Sequence, residues 1–375
     1  MRKVRQFLVP SLAYVLVAIL AIPACKSGLE YNNPYGVSSV TLQEPAPVED
    51  LTESHPGKAT LLPDSDDGKR PYPDSRFAII DGARIHFRWI PGRGGTGRYI
   101  LIHGFAASTY SYRHTIQHLK AQGHEIIAVD LPGYGFSDRV LEGSHSKFRR
   151  AQIIWNLVSL LESVESEKNS SSDTTLTQRP GSRRWVLIGH SMGGSVIASM
   201  AQMHPENVEY LVYIAGSVDG GPGWFTRAAI SWIPGLKSLV AWYAERYSFN
   251  ADSFQDLLSS AYARKPTDQE VQGYLKPFLV PDTASSILAS IENSGDERSL
   301  ELDESHIPAL LIWGLKDEWV EPGVGKTLHR DLNISLLYTI EDAGHCPMET
   351  HPATVNKIID ENDSVLRQLR TIQSD

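Results

Sequence analysis

Short apolar runs alternate with longer segments of helical spacing over most of the chain. Four runs predict buried strands, at residues 99–102, 125–130, 185–188 and 208–214. Three segments between them have helical periodicity, at residues 110–122, 147–164 and 192–203. This alternation is typical of the α/β class and predicts a mostly parallel central sheet flanked by helices.

A hairpin is predicted just before the first of these runs. Residues 77–80 and 84–90 have strand character, and the dipeptide Asp81-Gly82 lies between them. Such a dipeptide favours a tight turn with positive φ, which joins two antiparallel strands. The sheet is therefore expected to begin with antiparallel strands.

The alternation stops in the middle of the chain and then resumes. Residues 217–303 are helical, aromatic and punctuated by proline, whereas residues 310–313 and 334–340 again predict strands and residues 354–369 a closing helix. We interpret residues 217–303 as a helical cap inserted between two core segments, 76–216 and 304–375. Several aromatic residues of the cap are expected to divide between its core and a substrate pocket: Trp224, Phe225, Trp232, Trp242, Tyr243, Tyr247 and Phe249.

The first 25 residues have the pattern of an export signal. Arg2, Lys3 and Arg5 precede an apolar run over residues 7–24. The run ends in Ile-Pro-Ala followed by Cys25, which resembles the bacterial lipobox and implies a lipidated Cys25. We therefore expect a membrane-anchored lipoprotein of the cell envelope. An uncleaved signal anchor or a secreted protein is the alternative.

Residues 26–75 predict a flexible tether, because proline, glycine and polar residues interrupt any apolar period. Residues 170–183 predict a polar insertion between a helix and the next strand. The composition of the whole chain, 41% hydrophobic and 21% charged, is ordinary for a globular protein with a large core. A formal net charge of -9 and the lack of a basic stripe in the sequence argue against nucleic acid as a partner.

A nucleophile elbow is predicted where the strand at 185–188 meets the next helix. The sequence there is Gly189-His190-Ser191-Met192-Gly193, the G-x-S-x-G pattern in a strand–turn–helix context. Flanking glycines avoid Cβ clashes around a strained turn that exposes the serine oxygen. Ser191 is therefore the candidate nucleophile.

A serine nucleophile needs a base that is oriented by an acid, and both residue types follow later strands. Asp317 lies in the loop after residues 310–313, and His345 lies in the loop after residues 334–340. Carboxyl ends of parallel strands share one edge of a sheet, where active sites of such folds assemble. The order Ser191, Asp317, His345 thus predicts a catalytic triad. Three acids are rivals of Asp317: Glu318, Glu321 and Asp342.

From about residue 77 onward, the chain resembles the α/β-hydrolase superfamily, in the group that holds esterases, carbon–carbon bond hydrolases, epoxide hydrolases and haloalkane dehalogenases. Four motifs beside the elbow carry the resemblance: His103-Gly104-Phe105, Asp130-Leu131-Pro132-Gly133-Tyr134-Gly135-Phe136-Ser137-Asp138, Gly314…Asp317…Val320 and Gly344-His345-x-Pro347-x-x-Glu349. The resemblance implies an oxyanion hole formed by the backbone N–H groups of Phe105 and Met192. We interpret His103 as structural.

The residue at the elbow narrows the expected chemistry. Epoxide hydrolases and haloalkane dehalogenases of this superfamily use an aspartate there, whereas this chain has Ser191. The resemblance therefore implies hydrolysis of carboxylic esters of small or medium apolar acyl substrates through an acyl-enzyme. Alternatives are a carbon–carbon bond hydrolase of diketone-type substrates and a surface lipoprotein that binds without catalysis. The sequence has no metal-ligand cluster or phosphate-binding loop, so no cofactor is expected.

Overall fold

A computed structural model of the chain describes residues 59–63, 70–95, 97–140, 142–143, 145–170, 184–216, 218, 236–293 and 306–372. The predicted signal segment with Cys25, most of the predicted tether and nearly all of the predicted polar insertion lie outside these residues. So do both ends of the predicted cap, including Trp224, Phe225 and Trp232.

Nine strands form one sheet among the described residues. In chain order they are Ala59–Leu61 (β1), Ser75–Ile80 (β2), Ala83–Ile90 (β3), Arg98–Ile102 (β4), Glu125–Val129 (β5), Trp185–His190 (β6), Val208–Ile214 (β7), Ala309–Gly314 (β8) and Ser335–Ile340 (β9). The spatial order is β1-β2-β3-β5-β4-β6-β7-β8-β9. Strands β1, β2 and β3 pair antiparallel, β3 pairs antiparallel with β5, and the later pairs are parallel.

The described helices are Arg113–Ala121 (α1), Lys147–Ser170 (α2), Gly193–Met203 (α3), Leu236–Tyr243 (α4), Ala251–Tyr262 (α5), Asp268–Phe278 (α6), Thr283–Glu292 (α7), Pro322–Asp331 (α8), Pro347–Thr350 (α9) and Pro352–Ile372 (α10). Helices α4 to α7 all lie between β7 and β8 in the chain, within the segment for which the sequence predicts a cap. No helix in the described part of the chain combines the length and the apolar character needed to cross a membrane.

Helices cover both faces of the sheet because its central strands are apolar on both faces. Ile100 and Ile102 of β4 belong to the buried cluster under α2 and α3, whereas Leu101 between them belongs to the cluster under α1 and α10. All three side chains are fully buried. Two-sided burial accounts for the continuous apolar runs of the sequence. The predicted α/β fold with a mostly parallel sheet is confirmed.

The predicted hairpin is also confirmed, and its turn has the expected conformation. Strands β2 and β3 pair antiparallel. Asp81 and Gly82 have φ values of 51° and 84°. Two consecutive positive φ angles match the twist of the strands that the turn connects. The hairpin fixes the antiparallel side of the sheet.

The tether prediction for residues 26–75 is wrong at residues 59–61. These residues form β1, in which Ala59 pairs with Ile80 and Leu61 pairs with Ala78. Ser75, the last residue of the predicted tether, is fully buried at the start of β2. A three-residue edge strand has too few positions to show a period of two, so the pattern of the sequence does not reveal it. Helix α8 was not predicted either.

Candidate active site

Ser191 lies on a tight, strained turn between β6 and α3. Its φ is 51°, in the left-handed region that a serine adopts only when the surrounding structure imposes it. The N–H of Ser191 donates to the carbonyl oxygen of Ile214 on β7 at 3.1 Å, and its own carbonyl accepts from the N–H of Gly194 at 2.9 Å. These bonds hold the turn at the carboxyl edge of the sheet.

The glycines beside the turn are required by close packing. A Cβ on Gly189 would lie 2.5 Å from the carbonyl oxygen of Gly193. A Cβ on Gly193 would lie 2.3 Å from the carbonyl oxygen of Ile102 on β4. Any side chain at either position would push α3 away from the sheet, as the G-x-S-x-G pattern predicts.

The structure brings Asp317 and His345 together. Oδ2 of Asp317 lies 2.9 Å from Nδ1 of His345, and both residues are 3% exposed. Oδ1 of Asp317 accepts the N–H groups of Trp319 and Val320 at 2.9 Å each, which fixes the carboxylate plane. A proton on Nδ1 that donates to this carboxylate leaves Nε2 as the proton acceptor of the imidazole.

The rival acids lie elsewhere. The side chain of Asp342 is 74% exposed and pairs with Lys316 at 2.6 Å, and this lysine lowers the pKa of Asp342. Glu318 and Glu321 are exposed as well. Asp317 is the acid whose carboxylate meets the imidazole of His345.

Residues that the sequence analysis missed hold His345 in place. Its N–H donates to the carbonyl oxygen of Ala261 at 2.7 Å, and its carbonyl accepts from Nε2 of His190 at 2.9 Å. The indole of Trp319 stacks on the imidazole with ring centroids 5.4 Å apart and an interplanar angle of 20°. Nε1 of Trp319 donates to Oγ of Ser260 on α5 at 3.0 Å. The sequence signal for Trp319 was its place two residues after Asp317.

Ser191 lies close to the pair formed by Asp317 and His345, because the residue before it contacts His345. The ring of His190, directly before Ser191, has its centroid 4.8 Å from that of His345. The loop after β4 also passes close by, because a Cβ on Gly104 would lie 2.9 Å from both Cβ of Ser191 and Nδ1 of His190. The three predicted triad residues thus lie on loops that contact one another at one edge of the sheet.

The two predicted oxyanion-hole donors lie beside Ser191. Met192 follows it, and Phe105 follows Gly104. Within the described part of the chain, neither backbone N–H has a hydrogen-bond acceptor. Ala106 has a φ of 54°, which turns the chain sharply just after Phe105. Two unused N–H groups beside a nucleophile are the arrangement that stabilises a developing oxyanion.

His103 has a structural place in the loop after β4. It is fully buried, its Nδ1 lies 2.7 Å from the carbonyl oxygen of Gly104, and its Nε2 accepts the N–H of Leu131 at 3.0 Å. Burial lowers the pKa of His103, so the neutral ring bridges the loops after β4 and β5. Both ring nitrogens are used in this bridge.

A second Ser–His–Asp array lies inside the core. Ser75 Oγ lies 2.8 Å from Nε2 of His86, and Nδ1 of His86 lies 2.7 Å from Oδ2 of Asp130. Burial alone would raise the pKa of Asp130, but His86 and hydrogen bonds such as that from Thr109 N–H lower it to about 2. All three array residues are fully buried, so no substrate reaches Ser75. Ser75 is fully buried, whereas Ser191 is partly exposed, and this difference in exposure distinguishes the two serines.

A buried polar network joins the helices after β7 to the loop of His345. Glu349, four residues after His345, accepts hydrogen bonds from Arg113 on α1, from Tyr262 at the end of α5 and from Tyr274 on α6. Burial raises the pKa of Glu349, whereas Arg113 and the tyrosine hydroxyls oppose this rise. The network ties α5 and α6 firmly to the catalytic edge of the sheet.

Comparisons with known proteins agree with this architecture. A family model described as alpha/beta hydrolase fold matches residues 100–352. The chain is 28% identical over 292 residues to the uncharacterized hydrolase YugF of Bacillus subtilis (strain 168), covering 76% of this chain and 96% of that one.

Two further relatives have names that refer to different reactions. Epoxide hydrolase 4 of Homo sapiens is 25% identical over 301 residues, covering 76% of this chain and 77% of the relative. The 2-hydroxy-6-oxononadienedioate/2-hydroxy-6-oxononatrienedioate hydrolase of Burkholderia vietnamiensis (strain G4 / LMG 22486) is 25% identical over 290 residues, covering 75% and 92%. Both names describe a hydrolase, but they imply cleavage of different bonds.

Proposed function

Because the chain belongs to the α/β-hydrolase fold family, we propose that it is a serine hydrolase that cleaves carboxylic esters of small or medium apolar acyl groups through an acyl-enzyme on Ser191. The observation that carries the proposal is the hydrogen bond between Asp317 and His345, on loops packed against a strained serine turn. An aspartate nucleophile, as in the epoxide-hydrolase branch, is absent from the elbow, since residue 191 is serine.

In the proposed reaction, Nε2 of His345 takes the proton of Ser191 Oγ as the oxygen attacks the acyl carbon. Asp317 stabilises the imidazolium, and the N–H groups of Phe105 and Met192 donate to the oxyanion. Collapse of the tetrahedral intermediate breaks the ester bond, and the imidazolium protonates the leaving alcohol. Water activated by His345 then hydrolyses the acyl-enzyme and restores Ser191.

An apolar acyl group is supported by the side chains near the elbow. Phe105 and Met192 are partly buried and pack on the same apolar cluster as Val218 after β7 and Ile287 and Leu288 of α7. Burial of acyl methylene groups against such a surface contributes about 0.8 kcal/mol for each methylene. Activity is therefore expected to rise with acyl length until this space is filled.

The proposal is tested with 4-nitrophenyl esters of increasing acyl length and with a fluorophosphonate probe. The purified protein should hydrolyse the esters and become labelled at Ser191, and Ser191→Ala should abolish both. Ser75→Ala is a matched control, because Ser75 belongs to a Ser–His–Asp array but is fully buried. It should keep the labelling. Labelling that persists in Ser191→Ala, or no labelling of the wild type, would overturn the proposal and, in the second case, favour a protein that binds without catalysis.

A carbon–carbon bond hydrolase is the second candidate, and the relative named for 2-hydroxy-6-oxononadienedioate hydrolysis favours it. The same triad and oxyanion donors would serve that reaction. Parallel assays with a diketone-type ring-fission substrate and with the esters separate the two. A kcat/KM for the diketone at least 100-fold above the best ester would favour the carbon–carbon reaction.

For the N-terminus we propose a lipid anchor on Cys25, which lies outside the described residues. The support is the charged start, the apolar run over residues 7–24 and the lipobox-like residues before Cys25. Cys25→Ser should release the protein from cell membranes without changing turnover of a soluble ester. Mass spectrometry of the mature N-terminus that shows Met1 or an unmodified Cys25 would contradict the proposal.

A further inference from the structure

Arg150 of α2 is a buried cation that has no acidic partner among the described residues. It is 4% exposed, and its guanidinium donates from Nη1 to Sδ of Met192 at 2.9 Å and from Nη2 to Oγ of Ser290 at 2.6 Å. Nε is buried and has no hydrogen-bond partner among the described residues. The Tyr134 hydroxyl is a further hydrogen-bond partner of the guanidinium. A thioether is a weak acceptor, so Nη1 is only weakly satisfied and Nε has no acceptor among the described residues.

Two half-buried arginines of this region have partners for their guanidinium groups. Arg139 donates to the hydroxyl of Thr283 and to the carbonyl oxygens of Ser137, Gly135 and Pro277. Arg113 pairs with two carboxylates. No carboxylate in the described part of the chain pairs with Arg150. Burial of a charge without a counter-charge is energetically unfavourable, and burial accordingly lowers the pKa of Arg150, whereas Tyr134 opposes this shift.

Arg150 lies directly behind the candidate oxyanion hole. Met192, whose sulfur it contacts, follows the nucleophile and carries one of the two N–H donors. The ring of Tyr134 lies 5.7 Å from the Arg150 guanidinium and 6.0 Å from the ring of Phe105, which carries the other donor. Ser290 on α7 closes the opposite side and also hydrogen-bonds to Tyr134 at 2.8 Å.

Two buried histidines described near Arg150 have a lowered pKa. Burial lowers the pKa of His145 to about 4, and the charge of Arg150 contributes to this shift. The pKa of His103 is lowered by the same two causes. Met192 is flexible, with rotatable bonds that let the thioether move off the guanidinium. Arg150 is then the cation that contacts Met192, the residue directly after Ser191.

We propose that Arg150 binds an anionic oxygen group, carboxylate or phosphate, at the far end of the substrate's acyl chain. This inference rests on the proposed ester hydrolysis at Ser191 and narrows its substrate class to esters whose acyl part carries an anion. The anion displaces Sδ of Met192 and accepts a hydrogen bond from Nη1 of Arg150. Apolar methylene groups between the anion and the ester carbonyl pack against Phe105 and Met192.

The test compares two esters of equal acyl length and similar shape. In 4-nitrophenyl hydrogen glutarate the acyl chain ends in a carboxylate, and in 4-nitrophenyl 5-methylhexanoate it ends in a neutral isopropyl group. The kcat/KM for the anionic ester is divided by that for the neutral ester. This ratio, divided by the same ratio of their hydroxide hydrolysis rates, is the corrected ratio and measures anion recognition. A third ester, 4-nitrophenyl 4-phosphonobutanoate, distinguishes phosphate-type from carboxylate recognition by which anion gives the higher ratio.

For the wild type, the corrected ratio should exceed about 10, because hydrogen bonds to charged groups change affinity by about 10- to 100-fold. Arg150→Gln should lower the ratio at least tenfold, and Arg150→Lys should retain part of it. Arg139→Gln is the control, since it removes a half-buried arginine whose donors are already used. It should lower the melting temperature and leave the ratio unchanged.

Three results would overturn the inference: a wild-type ratio near 1 for both anionic esters, an unchanged ratio in Arg150→Gln, or an equal loss in Arg139→Gln. If Arg150→Gln does not fold, the corrected ratio of the wild type still tests the inference by itself. The neutral ester distinguishes a failure of the proposed function from a failure of this inference. If the wild type hydrolyses neither the neutral ester nor either anionic ester, the proposed ester hydrolysis at Ser191 is wrong. If the neutral ester is cleaved without an anionic preference, only the role of Arg150 fails.

Discussion

At the scale of single residues, the two loops of the candidate triad each carry an aspartate, Asp317 after β8 and Asp342 after β9. These two aspartates differ in burial. Asp317 is buried against the imidazole, whereas Asp342 faces solvent beside Lys316. We expect Asp317→Asn to lower kcat by about 10⁴-fold, because the amide favours the wrong imidazole tautomer. Asp342→Asn should change kcat by less than about twofold. Steady-state kinetics on one ester checks both, and the reverse ranking would move the acid to Asp342.

Trp319 is expected to position the imidazole of His345. Its ring stacks on the imidazole, and its N–H is anchored on Ser260. Loss of an aromatic contact of this kind costs about 0.5–1.5 kcal/mol, so Trp319→Ala should lower kcat about 3- to 10-fold. KM should stay within about twofold, since the indole acts through His345 rather than on the acyl group.

Two further variants distinguish a role of Trp319 in positioning His345 from a role in the stability of the fold. Trp319→Phe keeps a ring over the imidazole and should recover most of kcat. Ser260→Ala removes only the acceptor of the indole N–H and should have a smaller effect than Trp319→Ala. A loss of melting temperature in Trp319→Ala with an intact kcat would make Trp319 a packing residue only.

At the scale of elements, the approach of α3 to the sheet depends on glycine. Gly193→Ala would place a Cβ 2.3 Å from the carbonyl oxygen of Ile102. We expect a loss of at least about 3 kcal/mol in the free energy of unfolding, because backbone on both sides must move. Gly323→Ala in α8 is the control, since a Cβ there has no atom within 4 Å.

Alanine in a helix is favoured over glycine, so Gly323→Ala should leave stability unchanged or raise it by up to about 1 kcal/mol. Urea unfolding of the two variants and the wild type makes the comparison. Equal stability of Gly193→Ala and the wild type would show that α3 can shift without cost and would refute the close-packing explanation of the elbow.

At the scale of the whole molecule, the buried array around Asp130 couples folding to pH. The pKa of Asp130 is about 2 in the folded protein, compared with 3.8 for an aspartate side chain free in solution. A pKa that is lower in the folded state contributes stability above pH 4, and this stability is lost as the pH falls towards 2. A difference of nearly two pKa units corresponds to about 2 kcal/mol.

The wild type should therefore be more stable than Asp130→Asn at pH 7. The difference between their free energies of unfolding should narrow by about 2 kcal/mol as the pH falls from 5 towards 2. Urea unfolding at a series of pH values measures the gap. Asp256→Asn, at an exposed position of α5, is the control and should show a gap near zero throughout. A gap between the wild type and Asp130→Asn that does not change with pH would contradict the proposed coupling.

Much of the architecture was predictable, because local patterns report burial directly. The central strands are apolar on both faces, so each appears in the sequence as an unbroken apolar run. The elbow was predictable because its glycines are neighbours in the chain and their packing leaves a short pattern. The order of Ser191, Asp317 and His345 was predictable because each follows a strand of a parallel sheet, and such strands end at one edge.

The tertiary structure alone decided which side chains meet across long stretches of chain. Arg150 contacts Ser290, 140 residues away, and the N–H of His345 donates to Ala261 on a helix inserted between β7 and β8. A local pattern carries no record of these contacts, since each depends on how separate elements pack. The sequence therefore determined the fold class and the candidate triad. Packing decided that Trp319 stacks on the imidazole, that the Ser75 array is closed to substrate, and that Arg150 is buried with no carboxylate partner in the described part of the chain.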